Sequence, residues 1–178
     1  GLFGAKAFSI YAQNNSLPIK AVQNNDVIGG TICGNTASPP TNCTQMGQVD
    51  SLNVRIFSLG SFNLPHRGYA RYIKLIYQEK LSSIVDVPMT VNIMNQEDRT
   101  GRGGDHQAFR QKGFTAVRFT AQHEHGDGSG TPPDRTHTPN DILGIDTNAN
   151  GIIDSFFVDF NYLKRNAVIN GVAATVTA

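Results

Sequence analysis

Two histidines and an aspartate in the second half of the chain could bind a metal ion. Asp105 and His106 directly follow Gly103 and Gly104, and His137 opens a His-Thr-Pro-Asn-Asp turn. Glycines allow the backbone to approach a substrate or ion closely, and Asp oxygens and His nitrogens are ligands that Zn²⁺ prefers. The pattern predicts a metallohydrolase cleft. The alternative is a glycine-rich loop that holds a hydrogen-bonded Asp-His pair.

A fold must bring these residues together, and the hydrophobic periodicity predicts alternating helices and strands. Helices are predicted over 1–12, 65–80 and 105–112, with strands over 19–28, 53–58, 89–94 and 116–120. A last helix follows, with the apolar stripe Val158, Tyr162, Ile169, Ala173 and Val176. We therefore expect an α/β fold, a mixed β-sheet with helices on both faces.

Three loops at strand ends are candidates for the site. They are the turn at Asp26, the loop after Met94 and the segment 122–141. Ligand sites in open α/β sheets lie beyond the carboxyl ends of the strands. We therefore expect these three loops to converge on one edge of the sheet.

Composition excludes two classes of partner. The 178 residues carry a formal net charge of +1, with no basic run and no interleaving of aromatic and basic residues. We expect no nucleic-acid partner. No apolar run approaches the roughly 20 residues that span a bilayer, so we expect no membrane span.

Cys33 and Cys43 are the only cysteines, and they bracket the polar, proline-rich stretch 34–42. Two thiols that close a short surface loop favour a disulfide, away from the chemistry. A disulfide predicts an extracellular or periplasmic location. The alternative is a pair of unbonded thiols.

His123 and His125 fall on the same side of an extended segment, a geometry that can chelate a metal ion. The alternative is a pair of solvated surface histidines.

A calcium-type loop is suggested by the alternating oxygen side chains of Asp146, Asn148, Asn150 and Asp154. Its twelfth position is Phe157, where a bidentate Glu is expected, so any calcium bound there should be held weakly. The alternative is an Asx-rich turn that caps the last helix.

Five motifs, taken in order, resemble the second half of a co-catalytic dizinc aminopeptidase of the bacterial leucyl-aminopeptidase-like family. That family is related to glutaminyl cyclases, glutamate carboxypeptidase and the zinc-free transferrin-receptor ectodomain. The resemblance covers nearly the whole chain and implies a phosphorylase/hydrolase-like zinc-peptidase fold. The motifs are Gly1-Leu2-Phe3-Gly4, Asn25-Asp26-Val27-Ile28-Gly29, Gly104-Asp105-His106 with Phe109, Gly113-Phe114-Thr115-Ala116-Val117, and His137-Thr138 with Asp141.

The resemblance implies a role for each matching residue. Asp26 would be the terminal carboxylate of one zinc ion and His137 the imidazole of the other. Asp105, His106 and Gly104 would line the pocket and hydrogen-bond a ligand. In that family a Glu-Glu pair precedes the Gly-Leu motif, and a His and a bridging Asp lie further upstream, whereas the sequence given begins at the Gly.

Residues 1–178 are therefore expected to be the C-terminal portion of one zinc-peptidase domain, incomplete at the N-terminus. The complete enzyme would hold two zinc ions and hydrolyse N-terminal peptide bonds of a peptide substrate. The chain alone would be inactive, and its partner would be the N-terminal half of the domain or a second copy. The alternative is a zinc-free, inactive peptidase-like binding domain or a stranded fragment.

One departure from the family pattern concerns Arg102. Family members often have a Tyr a few residues before the Asp-His to polarise the scissile carbonyl, and this chain has Gly101-Arg102-Gly103 there. A guanidinium can stabilise developing negative charge, so Arg102 is a candidate oxyanion donor. The alternative is an arginine paired with a nearby carboxylate.

Overall fold

The computed structural model describes residues 2–33, 43–61, 63–124 and 137–177, and these form the expected mixed α/β fold. The described helices are α1 (Leu2–Asn14), α2 (Pro65–Lys80), α3 (Asp105–Gln111) and α4 (Phe160–Thr177). The described strands are β1 (Val22–Asn25), β2 (Asn53–Phe57), β3 (Thr90–Ile93), β4 (Ala116–Ala121), β5 (Gly144–Ile145) and β6 (Ser155–Phe156).

The main sheet has the strand order β1-β4-β2-β3, and its central pair is antiparallel. β1 runs parallel to β4, and β2 runs parallel to β3. Strands β1 and β4 therefore end at one edge of the sheet, and β2 and β3 end at the opposite edge. The expectation of a shared edge is wrong for the start of the loop after Met94, because β3 ends at the opposite edge from β1.

The apolar core lies between one face of this sheet and helices α2 and α4. Successive side chains of a strand point to opposite faces of the sheet, and on β2 and β4 this places Val54, Ile56, Val117 and Phe119 on the core face. The Tyr162 hydroxyl in α4 donates to the Asn53 carbonyl (2.6 Å), and burial raises the pKa of Tyr162 to about 12. Helical residues of the same core are Tyr69, Ala70, Ile73, Tyr77, Ile169 and Ala173.

Helix α3 packs against β1 and β4, and α1 packs on α3. The rings of Phe8 and Phe109 meet edge-on at 5.9 Å between centroids. The start of α3 lies near the side chain of Arg118, which alternation directs away from the apolar core. Helices thus cover both faces of the sheet, as predicted.

The longer helices match their predicted positions. α2 begins at Pro65, where the missing proline N–H leaves no extra donor unsatisfied. The predicted stripe of α4 is confirmed for Tyr162, Ile169 and Ala173, while the side chain of Val176 lies outside the described part. The β5-β6 hairpin was not predicted. Among the described residues, no helix is long and apolar enough to cross a membrane.

Replacing the core residue Ile73 tests this packing. Ile73 is fully buried between α2 and the sheet, so Ile73→Ala should lower the free energy of unfolding by about 2–5 kcal/mol through lost contacts and a cavity. Leu75→Ala on the same helix, at a side chain that is 51% exposed, should change it by less than about 0.5 kcal/mol. Urea unfolding followed by circular dichroism measures both, and equal effects would contradict the assigned core face.

Candidate functional site

Asp26 directly follows β1 and is held at its backbone while its side chain is 41% exposed. Its N–H donates to the Phe119 carbonyl (3.0 Å). Its carbonyl accepts from Nε (2.6 Å) and Nη2 of Arg118. The carboxylate oxygen Oδ2 lies 3.3 Å from the same Nη2. An anchored backbone therefore presents a carboxylate at the sheet edge.

Beneath Asp26 lies a group of five charged side chains, which we call the buried ion cluster. Each member's side chain is at most 6% exposed. Three guanidinium groups face two carboxylates, so the half-exposed carboxylate of Asp26 supplies the third negative charge. The members are Arg55, Asp98, Arg99, Arg118 and Glu124.

Short ion pairs join the members of the buried ion cluster. Arg118 Nη1 donates to Asp98 Oδ1 (2.6 Å), and Arg99 Nε lies 3.2 Å from the same oxygen. Glu124 pairs with Arg99 and lies 3.6 Å from Arg55 Nη2. The loop after Met94 thus supplies Asp98 and Arg99, which reach back to β4 although the loop starts at the opposite edge.

The charges of the cluster shift the pKa values of Asp98 and Arg55. Burial alone would raise the pKa of Asp98, but the charge and hydrogen bond of Arg118 and the N–H of Arg99 outweigh it and lower that pKa. Burial, followed by repulsion from Arg99 and Arg118, lowers the pKa of Arg55 to about 10. Arg55 therefore remains a cation at neutral pH.

His106 is buried at the first turn of α3, and its partners are not the ones expected. Its Nε2–H donates to the Glu97 carbonyl (2.9 Å) and lies 3.8 Å from Asp98 Oδ2. Burial lowers its pKa, although Glu97 and Asp98 act in the opposite direction. Asp105 is half-buried at the start of α3. His106 therefore hydrogen-bonds the Glu97 backbone and lies beside Asp98 without a hydrogen bond to it.

Gly104 is required by close packing. A Cβ atom at this position would lie 2.8 Å from Asn24 Nδ2, 3.0 Å from His106 Nδ1 and 3.3 Å from Asp98 Oδ2. The glycine therefore lets the backbone approach the buried ion cluster.

Arg102 is exposed, and its backbone N–H donates to the Arg99 carbonyl (3.1 Å). Within the described part of the chain, its guanidinium forms no ion pair, so the alternative of a carboxylate-paired arginine is not observed there. Its role as an oxyanion donor stays a prediction.

His137 is exposed, and the turn that follows it is formed as expected. The His137 N–H donates to Asp141 Oδ2 (3.3 Å), and the Asn140 N–H donates to Thr138 Oγ1 (3.2 Å). These bonds are typical of Asx and ST turns. The metal-ligand roles of His137 and Asp26 stay predictions.

The structure confirms the disulfide between Cys33 and Cys43 but not its expected surroundings. Cys33 is fully buried, and both sulfurs lie within 4.8 Å of a ring nitrogen of His123, just after β4. His123 is buried, so it is not the solvated surface histidine of the alternative interpretation. His125 lies outside the described residues. Because the thiolate is the metal-binding form of cysteine, the disulfide leaves no sulfur ligands for an ion here.

The calcium-type loop joins β5 to β6 and does not cap α4. Asp146 accepts from the N–H groups of Asn148 (3.1 Å) and Gly151 (2.6 Å). Asp154 accepts from Thr147, and α4 is instead capped by Asp159, which accepts from the Tyr162 N–H (2.9 Å). Weak calcium binding at Asp146, Asn148, Asn150 and Asp154 stays a prediction.

The buried ion cluster was missed at the level of sequence. A usable signal lies in the strands, since Arg55 and Arg118 each stand between apolar residues. In a sheet covered on both faces, such an arginine is buried and needs a carboxylate partner. The distant partners Asp98 and Glu124 have no pattern that identifies them.

A methyl group at Gly104 tests the close packing. Gly104→Ala should lower the free energy of unfolding by about 1–3 kcal/mol, because the cluster must shift to accommodate it. Gly68→Ala in α2 meets no atom within 4 Å and should raise the free energy of unfolding by about 0.5–1 kcal/mol. Chemical denaturation of both variants measures this difference, and similar values would contradict the assigned role of Gly104.

The buried histidines predict how stability depends on pH. Burial lowers the pKa values of His66, His106 and His123 below the ordinary 6.5. The unfolded chain then binds protons more readily than the folded chain, so stability should be flat above about pH 7.5 and fall as the pH drops below about 6.5. Thermal unfolding at about pH 8 and about pH 5.5 measures this fall. His106→Gln, which retains a donor for Glu97, should reduce the fall, and an undiminished fall would contradict the prediction.

Comparison with known proteins finds similarity to fungal proteins named "Probable zinc metalloprotease". The Phaeosphaeria nodorum relative is 30% identical over 131 positions, covering 70% of this chain and 25% of the relative. The Pyricularia oryzae relative is 29% identical, and the matched region covers 98% of this chain and 34% of the relative. The Leptosphaeria maculans relative is 27% identical, and the matched region covers 96% of this chain and 38% of the relative.

The chain therefore spans about a quarter to two fifths of the length of these curated relatives. No family model matches the chain, and no solved structure matches it. Over most of its own length, the chain is similar to proteins named as zinc metalloproteases, and this similarity supports a zinc metallopeptidase family.

Proposed function

We propose that this chain is the C-terminal part of a secreted, zinc-dependent aminopeptidase domain of the leucyl-aminopeptidase-like type. The observation that carries the proposal is the similarity to proteins named as zinc metalloproteases over 70% to 98% of the chain. In this proposal, Asp26 and His137 each bind one of two zinc ions. The peptide substrate binds with its N-terminal residue at that pair.

The donor chemistry of the two residues fits zinc. Asp26 offers a carboxylate that is 41% exposed on an anchored backbone, and His137 offers an exposed imidazole on a formed turn. Carboxylate oxygens and imidazole nitrogens are zinc ligands, and a catalytic zinc ion commonly has three from the protein. We propose that the portion of the relatives that this chain does not span supplies the remaining ligands and the general base.

When bound, a zinc pair supplies Lewis-acid charge for the hydrolysis of a peptide bond. In this proposal, the residues of this chain build the surrounding wall. Gly104 allows the loop to lie against the cluster, and His106, neutral and bonded to Glu97, fixes the start of α3. Arg102, exposed on the same loop, would approach the carbonyl oxygen as negative charge develops on it. Asp105 would line the pocket beside it.

The location of the protein is part of the proposal. A disulfide persists in oxidising compartments and is rare in the reducing cytosol. The bond between Cys33 and Cys43 therefore supports an extracellular or periplasmic protein. The proposed partner is the N-terminal half of the same domain, with self-association through an exposed strand edge as the alternative.

The isolated chain should neither bind zinc tightly nor hydrolyse peptides, because it offers one proposed ligand per ion. Calorimetric titration should show no sub-micromolar zinc binding, and no zinc-dependent release of leucine from a chromogenic amide should occur. Adding the N-terminal half should restore both. A monomer of this chain that hydrolyses the amide unaided would contradict the proposal, and an intact protein that binds no zinc would favour the zinc-free binding domain.

Substitutions in the intact protein test the two proposed ligands. Asp26→Asn and His137→Ala should each lower kcat/KM at least about a hundredfold, since an ion that loses one of its few ligands is displaced or released. Asp86→Asn changes an exposed acid outside the proposed site and serves as the control. Activity that survives Asp26→Asn or His137→Ala would contradict the assigned roles.

A further inference from the structure

Arg118 contacts both the backbone and the side chain of Asp26. Its Nε and Nη2 donate to the Asp26 carbonyl, and Nη2 also lies 3.3 Å from Oδ2 of the carboxylate. Its remaining arm, Nη1, donates to Asp98 Oδ1 (2.6 Å). One planar guanidinium therefore joins the proposed zinc ligand to the buried ion cluster.

The backbone of Asp26 shows why this contact matters. β1 ends at Asn25, and the Asp26 carbonyl bonds to the Arg118 side chain while its N–H still bonds to β4. A carboxylate that is 41% exposed would otherwise sample several rotamers. The Arg118 contact to Oδ2 restrains this rotation, and in the proposal the other oxygen, Oδ1, binds the cation. Groups that orient a metal ligand in this way strengthen metal binding.

The charge of Arg118 does not by itself oppose a cation at Asp26. Asp98 pairs with the far side of the guanidinium, and Glu124 lies 3.9 Å from Nη2. The three buried arginines are balanced only when Asp26 is counted with Asp98 and Glu124. The guanidinium that contacts Asp26 is therefore also paired with Asp98 on its far side.

Stability alone does not account for such a cluster. Replacing buried ion pairs with well-packed apolar residues is often neutral or stabilising, because desolvating the charges is unfavourable. A planar guanidinium with several donors in a rigid fork suits simultaneous contact with a carbonyl and two carboxylates, and a lysine ammonium could make only part of these contacts.

We propose that Arg118 is a positioning residue for one of the two zinc ions, acting through Asp26. The inference rests on the proposed function, in which Asp26 binds one ion and His137 binds the other. It predicts an asymmetric defect: loss of Arg118 weakens the ion at Asp26 and spares the ion at His137.

The experiment is a two-site calorimetric titration of the intact protein with Zn²⁺ after removal of metal by a chelator. Arg118→Gln should weaken one of the two ions at least about tenfold, the scale expected for a partner that orients a ligand, and leave the other within about twofold. Arg118→Lys should recover part of the loss, because it restores one donor and the charge but not the fork.

The matched control is Arg55→Gln. Arg55 belongs to the same buried ion cluster but donates to the Ala121 carbonyl (3.0 Å) and pairs with Glu124. This variant should lower the melting temperature and leave both zinc affinities within about twofold of the unsubstituted protein, since neither of these two contacts reaches Asp26 or His137. The comparison separates positioning of Asp26 from general loosening of the cluster.

Each outcome has a defined meaning. Equal weakening of both ions in Arg118→Gln, the same effect in Arg55→Gln, or no effect in Arg118→Gln would overturn the positioning role and leave the zinc site standing. An unsubstituted protein that binds no zinc would overturn the proposed function and the inference with it. If Arg118→Gln does not fold, the titration of Arg118→Lys decides, and affinities unchanged from the unsubstituted protein would overturn the role.

Discussion

The rest of the structure depends on the antiparallel register of β2 and β4. Ile56 lies opposite Phe119, and Arg55 lies opposite Thr120. Because side chains alternate between the two faces, this register gathers the apolar residues on one face and the arginines on the other. A slip of one residue would place Arg118 in the apolar core, where no carboxylate pairs with it.

Two different interiors follow from that register. On one face, α2 and α4 cover an apolar core of ordinary composition. On the other, the loop after Met94 brings Asp98 and Arg99 onto the sheet, and the chain just after β4 supplies Glu124. The charges neutralise one another away from water, so the second interior is organised by geometry and hydrogen bonding more than by apolar contact. The candidate metal ligand Asp26 stands where this charged interior meets the surface.

Local patterns predicted the longer helices and the strands of the main sheet but not how these elements are arranged. Helix α2 was predictable because its apolar residues recur at helical spacing behind a proline. Periodicity did not show that β3 ends at the opposite edge from Asp26, because strand direction depends on pairing between distant segments. Cys33 was expected at the surface because a polar stretch follows it, yet its own side chain is buried beside His123.

The sequence by itself determined the α/β class, the bounds of α2, the start of α3, the disulfide and the resemblance that points to zinc, because each depends on residues close together in the chain or on ordered motifs. Only the tertiary structure decided that Arg118 would hold Asp26, since 92 residues separate the two. It likewise decided that His106 would bond Glu97 and lie beside Asp98, and that Gly104 would have no space for a side chain. The physical reason is that a buried charge is stable only beside its partner, and that partner is chosen by the packing of the whole sheet.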